Sequence, residues 1–567
     1  GRSVHQDLAM FSSPCGTLLA LSLICHGTAT TRPPCESQHG RLVCTLRVEV
    51  ATVRLPYKNI SFQARTYNGK FPGPPIRAAP GDHVSILLQN RLGDNANGLG
   101  CRSNFPQFRA ANSTNLHIHG IHADETQDNT FACVGPGSDM LYEYKINPDT
   151  GTSTLWYHPH VMGSSAMQLY GGMAGAFEIV DVAQDAAFAF ADTRVLVLQM
   201  LDFNRKSKDY IETFMKMEGV NTLPLQLHNP ENYSGRLLLA NGEVAPSMVL
   251  QQGRHARLKL INAMSGSNNI ANIGFIGSAA ASCQLHVLAY DGVYISAPRR
   301  QRSVLIPPGG RADVAVKCRK VGRHVFRTLM EGVENLGGVF GEEGFTVLAL
   351  DVHSLADPHA ADILPSALPG PPPFYADLSN AKPEGHHTIM LGNVAGDQVV
   401  NGKLYDGTVS HTMRPDSIQE WSLIGGEGHG LQKSHPYHQH VVHFQVAKVA
   451  RASLTEDSLV AVQGDYRDTL PLYRDLNYTV RFKNPFTGRM MVHCHITKHS
   501  DLGMMTVVNF TSRTASLNLL SPSYRSHPFV LAALSCLFVV SIACSIVGLK
   551  RLRTYRCRCH GNYVSFS

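Results

Sequence analysis

From about residue 46 the chain is written in short apolar runs, alternating with polar positions and separated by Gly, Pro, Asn and Asp. Val84-Ser85-Ile86-Leu87-Leu88 and Gly175 to Val180 are of this kind, as are Arg194 to Gln199, Ala256 to Ile261 and Arg311 to Val316. Runs of this length, rich in Val, Ile and Leu and bounded by turn residues, predict strands. They group into three β-rich units of sandwich size, 46–183, 190–352 and 386–512, with a Pro-rich linker at 353–385. The pattern therefore predicts an all-β chain of serial sandwiches.

Two apolar segments break this texture. Leu18 to Cys25, ahead of Gly27-Thr28-Ala29-Thr30, makes 1–30 a candidate signal segment, the alternative being an ordinary buried strand. Phe529 to Leu549 is uncharged, long enough to cross a bilayer and followed at once by Lys550, Arg551 and Arg553. It predicts a transmembrane helix at 529–549 and a cytosolic tail at 550–567. The chain would then be a single-pass type I membrane protein, its main body extracellular or lumenal.

Charge and cysteines refine that picture. The formal charge is +7, and much of it sits in the tail, so no nucleic-acid partner is indicated. Outside the candidate signal segment, the candidate span and the tail lie Cys35, Cys44, Cys101, Cys133, Cys283, Cys318 and Cys494. Six could pair in an oxidising compartment, leaving Cys494 as the odd thiol. Pairing of sequence neighbours (35 with 44, 101 with 133, 283 with 318) is the simplest scheme among several. Glycosylation sequons at Asn59, Asn112, Asn232, Asn477 and Asn509 suit an exported glycoprotein.

The chemistry is concentrated in four histidine motifs. The first unit holds His117-Ile118-His119 and His158-Pro159-His160; the third holds His435-Pro436-Tyr437-His438-Gln439-His440 and His493-Cys494-His495, followed by His499 and Met504. On a strand, His493 and His495 point one way and Cys494 the other, so adjacent residues can serve two metal sites. His435 has the opposite parity to His438 and His440, and repeats the split. A cysteine, histidines and a distant methionine form the ligand set of a blue copper electron-transfer site.

With these motifs in this order, the chain resembles the multicopper oxidases, the family of laccases, ascorbate oxidase, copper efflux oxidases and ferroxidases. Gly171-Gly172-Met173-Ala174-Gly175, Asn241-Gly242 and His499-Ser500-Asp501-Leu502-Gly503-Met504-Met505 agree with it. The resemblance, over about residues 46 to 512, implies three tandem cupredoxin-like domains and four copper ions. It assigns His435, Cys494, His499 and axial Met504 to a type 1 copper, and His117 and His438 to a type 2 copper. His119, His158, His160, His440, His493 and His495 would hold a type 3 pair. Asp128, nine residues after His119, matches a carboxylate that would relay protons; a solvated turn aspartate is the alternative. Ser500 stands where some relatives carry a second proton-relaying glutamate, and Met162 replaces a third, non-ligating histidine.

The function implied is one-electron oxidation of a phenol, aromatic amine or Fe(II), coupled to four-electron reduction of dioxygen to water. Fungal ferroxidases share the outer body and single span, which raises Fe(II) as substrate and a metal transporter as a conceivable partner. The alternative is a non-catalytic cupredoxin-like surface or copper-handling protein, but such relatives lose ligands, and here all twelve positions are filled.

Overall fold

The computed structural model describes residues 34–38, 41–95, 101, 110–203, 225–227, 235–266, 269–329, 344–354, 363–426, 434–451, 461–472 and 476–512. The expected signal segment, transmembrane helix and tail lie outside these residues. No helix among the described residues is long and apolar enough to cross a membrane.

The strands predicted from the apolar runs form. His83–Asn90, Gly175–Ile179, Asp192–Asp202, His255–Asn262 and Arg311–Cys318 are all β-strands. Where one face meets water, burial alternates along the strand, as in Leu476–Lys483. Among the described residues the strands are joined into six sheets. Residues up to 90, with 117–179 and an edge strand at Leu225–Leu227, supply two of them, and their facing sides share a core containing Leu46, Ile86, Tyr142, Ile118, Leu155 and Phe177. Leu196, Leu258, Val314, Ile273 and Leu348 belong to a second shared core, and Ile389, Trp421, Val480, Leu470, Val492 and Val508 to a third. Among the described residues the result is an all-β architecture of paired sheets with only short helices. Disulfides link Cys35 to Cys44, Cys101 to Cys133 and Cys283 to Cys318, and Cys494 is a buried free thiol.

His255–Asn262 departs from alternation, being buried along its whole length. Its second face is covered by the first sheet pair, and the polar side chains trapped there are matched. Lys259 Nζ lies 3.1 Å from Glu178, and neighbouring Thr154 donates its hydroxyl to Asp313 at 2.8 Å. Such pairing is required, because a buried charge without a partner is costly. The first and third pairs meet similarly, where the Asp501 carboxylate accepts the N–H groups of Gly163 and Ala166, each at 2.7 Å. These seams bring the histidine strands of the first and third sheet pairs face to face.

Candidate metal centre

Two antiparallel ladders carry the ligand candidates. His117–His119 pairs with Ser153–His158, so that His117 faces His158 and His119 faces Trp156. His435–Gln439 pairs with Gly488–Cys494, placing His438 opposite His493 and Tyr437 opposite Cys494. Residues opposite one another share a face, so His438 and His493 point to one side and Cys494 to the other. His440 and His495 lie one residue beyond their strands, yet remain bound to the neighbouring chain: His440 N–H donates to Met491, and His495 N–H to Pro436.

All eight of the histidines expected at types 2 and 3 are buried, none more than 4% exposed. Their rings converge. Nε2 of His440 and Nε2 of His160 lie 3.0 and 3.1 Å from Nε2 of His493. On the other side Nε2 of His495 is 3.2 Å from Nδ1 of His119. Ring nitrogens of His117, His119 and His158 lie within 4.8 Å of one another, as do those of His117, His438 and His440.

A separate cluster forms on the opposite face of the Cys494 strand. Cys494 Sγ lies 3.8 Å from His435 Nδ1 and 3.7 Å from His499 Nδ1, and those two nitrogens are 3.3 Å apart. The short helix Thr497–Asp501 returns His499 to this side. Met504 follows it into the core, its N–H donating to the His499 carbonyl while its own carbonyl accepts the Cys494 N–H. The two clusters are therefore joined through the main chain of residues 493–495.

Models of the multicopper oxidases match residues 108–184 and 378–513, the two stretches that carry these ladders. Over these stretches the chain is similar to the multicopper oxidases. It is similar to the multicopper oxidase mco of Staphylococcus aureus, 23% identical over 488 residues, which cover 84% of this chain and 90% of that protein. The laccase of Bacillus subtilis is 23% identical over 78% of this chain and 90% of its own length. The iron transport multicopper oxidase of Saccharomyces cerevisiae is 23% identical over 78% of this chain and 71% of its own length. Among solved structures, a multicopper oxidase from Campylobacter jejuni described as a metallo-oxidase superposes with a TM-score of 0.64 at 20% identity, covering 85% of this chain and 94% of that one. The chain is accordingly an oxidoreductase enzyme, and its likeness to the multicopper oxidases implies copper cofactors.

The donor atoms of the two clusters suit copper. Nε2 of His117, of His158 and of His438 is buried without a hydrogen-bond partner. The Nε2 of His493 faces two other imidazole Nε2 atoms, and a proton could satisfy at most one of those contacts. A cation satisfies lone pairs that protons cannot, and imidazole with thiolate suits copper. Burial also keeps the rings neutral, the form that binds metal: His158 is pushed down to about 3 and His493 to about 4. Burial and the neighbouring imidazoles push His117, His160, His440 and His495 well below the usual range. Burial raises the Cys494 thiol, so binding a metal there must expel its proton.

Hydrogen bonds at the far ring nitrogens fix which nitrogen points inward. The Nδ1–H groups of His158, His438 and His493 donate to the carbonyls of Pro159, Asp468 and Cys494 at 3.0, 2.9 and 2.8 Å. His119 is turned the other way, its Nε2–H donating to Asp468 Oδ1 at 3.2 Å, which leaves Nδ1 facing His495. Asp128 is buried, contrary to the solvated-turn alternative. Its Oδ2 lies 2.6 Å from His117 Nδ1, and its Oδ1 accepts the Ile118 N–H at 3.1 Å. Burial pushes its carboxyl up to about 8.

Sequence reasoning missed Asp468, His443, Asp291 and Arg311. Asp468 sits in an unremarkable Tyr-Arg-Asp-Thr segment and meets His119 across 349 residues of chain, so no local spacing could reveal it. Burial opposes its ionisation, but Arg311 and then the nearby His119 and His443 hold it well below the usual carboxylate range. The Ser500 hydroxyl donates to the Thr497 carbonyl at 2.9 Å, and the Asp501 carboxylate is taken up by the N–H groups of Gly163 and Ala166.

Proposed function

We propose that the enzyme oxidises a reductant one electron at a time at the Cys494 cluster and delivers four electrons to dioxygen at the histidine cluster, forming water. The observation that carries this reading is the shared strand end: Cys494 lies against His435 and His499, while its covalent neighbours His493 and His495 reach into the second cluster. In this reading His435, Cys494, His499 and Met504 hold one type 1 copper and His117 and His438 a type 2 copper. The remaining six histidines divide into His160, His440 and His493 for one type 3 ion and His119, His158 and His495 for the other. Bound there, the four coppers supply the electron storage that reduction of dioxygen to water needs.

The chain's own residues orient and protonate. Outer carbonyls and Asp468 hold the ring tautomers, and the low exposure of the cluster excludes bulk water. Asp128 holds a proton at its carboxyl beside His117 and serves as the relay to dioxygen-derived oxygen. Met504, as a thioether near the type 1 site, favours a lower potential than an apolar side chain would.

Fe(II) and phenols or aromatic amines are the donor classes considered, in keeping with an iron transport oxidase and laccases among the relatives. The fold is read as three tandem cupredoxin-like domains, anchored as a type I membrane protein by 529–549. Comparing oxygen uptake with Fe(II) and with a phenol identifies the donor class, and membrane fractionation with and without residues 529–567 tests the anchor. The Cys494→Ser variant should lose the blue colour and turnover; a colourless variant that still turns over would refute the assignment.

A further inference from the structure

The sheet pair from Asp192 to His353 contributes to none of the four histidine motifs, yet its residues press on the cluster. Arg311 is fully buried and its guanidinium donors are all engaged. Nη1 and Nη2 each donate to Asp468, to Oδ1 and Oδ2 at 2.7 Å. Nε donates to the Thr154 carbonyl at 3.2 Å, Nη1 also to Gly309 at 3.2 Å and Nη2 to Asp291 at 2.9 Å. The Asp291 carboxylate, from the same sheet pair, accepts the backbone N–H groups of Arg311, Asp468 and Thr469 at 2.9, 3.2 and 3.2 Å. The side chain and the main chain of Asp468 are therefore both fixed from the second sheet pair. Asp468 in turn orients two rings: its Oδ1 takes the Nε2–H of His119, and its carbonyl takes the Nδ1–H of His438.

We propose that Arg311, supported by Asp291, is a positioning residue for the histidine cluster, acting through Asp468 to hold His119 and His438 in the tautomers that present Nδ1 and Nε2 inward. Chain segments that supply no ligand thus set the geometry of the oxygen-reducing site. A planar guanidinium is required, because one group must donate in a fork to a carboxylate and simultaneously to three carbonyls. Lysine keeps the charge but has three donors on a single nitrogen and cannot make the fork. Among the described contacts Arg311, Asp291 and Asp468 bond to none of Cys494, His435 and His499, so the effect is expected to be selective.

The inference rests on the copper reading above, and its test separates the two. Arg311→Lys and Asp468→Asn are made in the full chain, loaded with copper, and examined for copper content and for type 1 and type 2 electron paramagnetic resonance signals. Arg257→Met serves as the comparison, since Arg257 is a buried arginine of the same sheet pair bound instead to Asp313 and Asp185. Wild-type protein without both signals would refute the copper reading itself. With those signals present, Arg311→Lys and Asp468→Asn should keep the type 1 signal while their affinity for the histidine-bound copper falls about 10–100-fold. Arg257→Met should lower the melting temperature without a selective loss. Full retention of the type 2 signal in Arg311→Lys, equal loss of both signals, or the same selective loss in Arg257→Met would each overturn the inference.

Discussion

His438 and His493 stand opposite one another in an antiparallel ladder, and the next opposed pair is Tyr437 with Cys494. That one-residue step turns a continuous strand into a partition. One side receives imidazoles, and the other receives a thiol flanked by His435 and His499. Every prediction below depends on that partition or on the groups that brace it.

Asp128 is the only carboxylate bonded to His117 among the described contacts, at 2.6 Å. Asp128→Asn keeps the shape but removes the titratable proton. Turnover should fall by about 10²-fold or more, with the blue band retained. Steady-state rates over pH check this: wild-type activity should depend on a group near neutrality that the variant lacks, and an unchanged profile would remove Asp128 from the proton path.

The metal-free protein should be most stable near neutral pH. His158 and His493 are depressed from 6.5 to about 3 and about 4, so the stability they contribute is present above 6.5 and is lost as pH falls toward those values. Asp128 and Asp501 are raised from 3.8 to about 8 and about 7 by burial, so their contribution is present below 3.8 and is lost as pH rises through 7 to 8. The histidines outnumber the two carboxyls, and the acid arm should be the steeper. Melting temperatures of copper-free protein across pH 4 to 9 (roughly the span of these groups) test the shape.

Gly309 comes from the turn ahead of Arg311 and has φ +86, and an added Cβ would sit 2.6 Å from the His495 ring. Gly309→Ala should destabilise by more than about 1 kcal/mol and displace that ring. The expected signature is a lower melting temperature with a weakened type 3 absorption and an intact blue band. An unaltered type 3 band would show that His495 tolerates the intrusion.

Asp501→Ala leaves the N–H groups of Gly163 and Ala166 without their acceptor in a buried seam. A loss of about 2–5 kcal/mol is expected from two unsatisfied donors. Denaturant unfolding measures it, and a variant as stable as wild type would show that water replaces the carboxylate.

The histidine pairs were legible in the sequence because a metal site imposes short, periodic spacing on the strands that carry it. The apolar runs at 84–88, 256–261 and 311–316 were legible for the same reason, since a half-buried strand must alternate or stay apolar. Arg311 appeared only as the start of a strand, however, and Asp468 not at all. Their roles come from partners 157 residues apart in the chain, brought together by the packing of one sheet pair on another. Likewise, His435 could be assigned a side by parity, but the convergence of His160, His440 and His493 depends on ring distances that no spacing encodes. Asp128 was legible as a residue but not as a buried one, because burial depends on Tyr144 and the sheet folded over it.

The central claim is that the Cys494 cluster feeds electrons to the histidine cluster. It is tested most directly by loading the full chain with copper, recording its visible spectrum, and measuring donor oxidised per dioxygen consumed. The account predicts an intense blue band, absent in Cys494→Ser, and four donor molecules oxidised for each dioxygen. A protein that binds copper but shows no blue band, or that is blue and consumes no oxygen with either Fe(II) or a phenol, would contradict it.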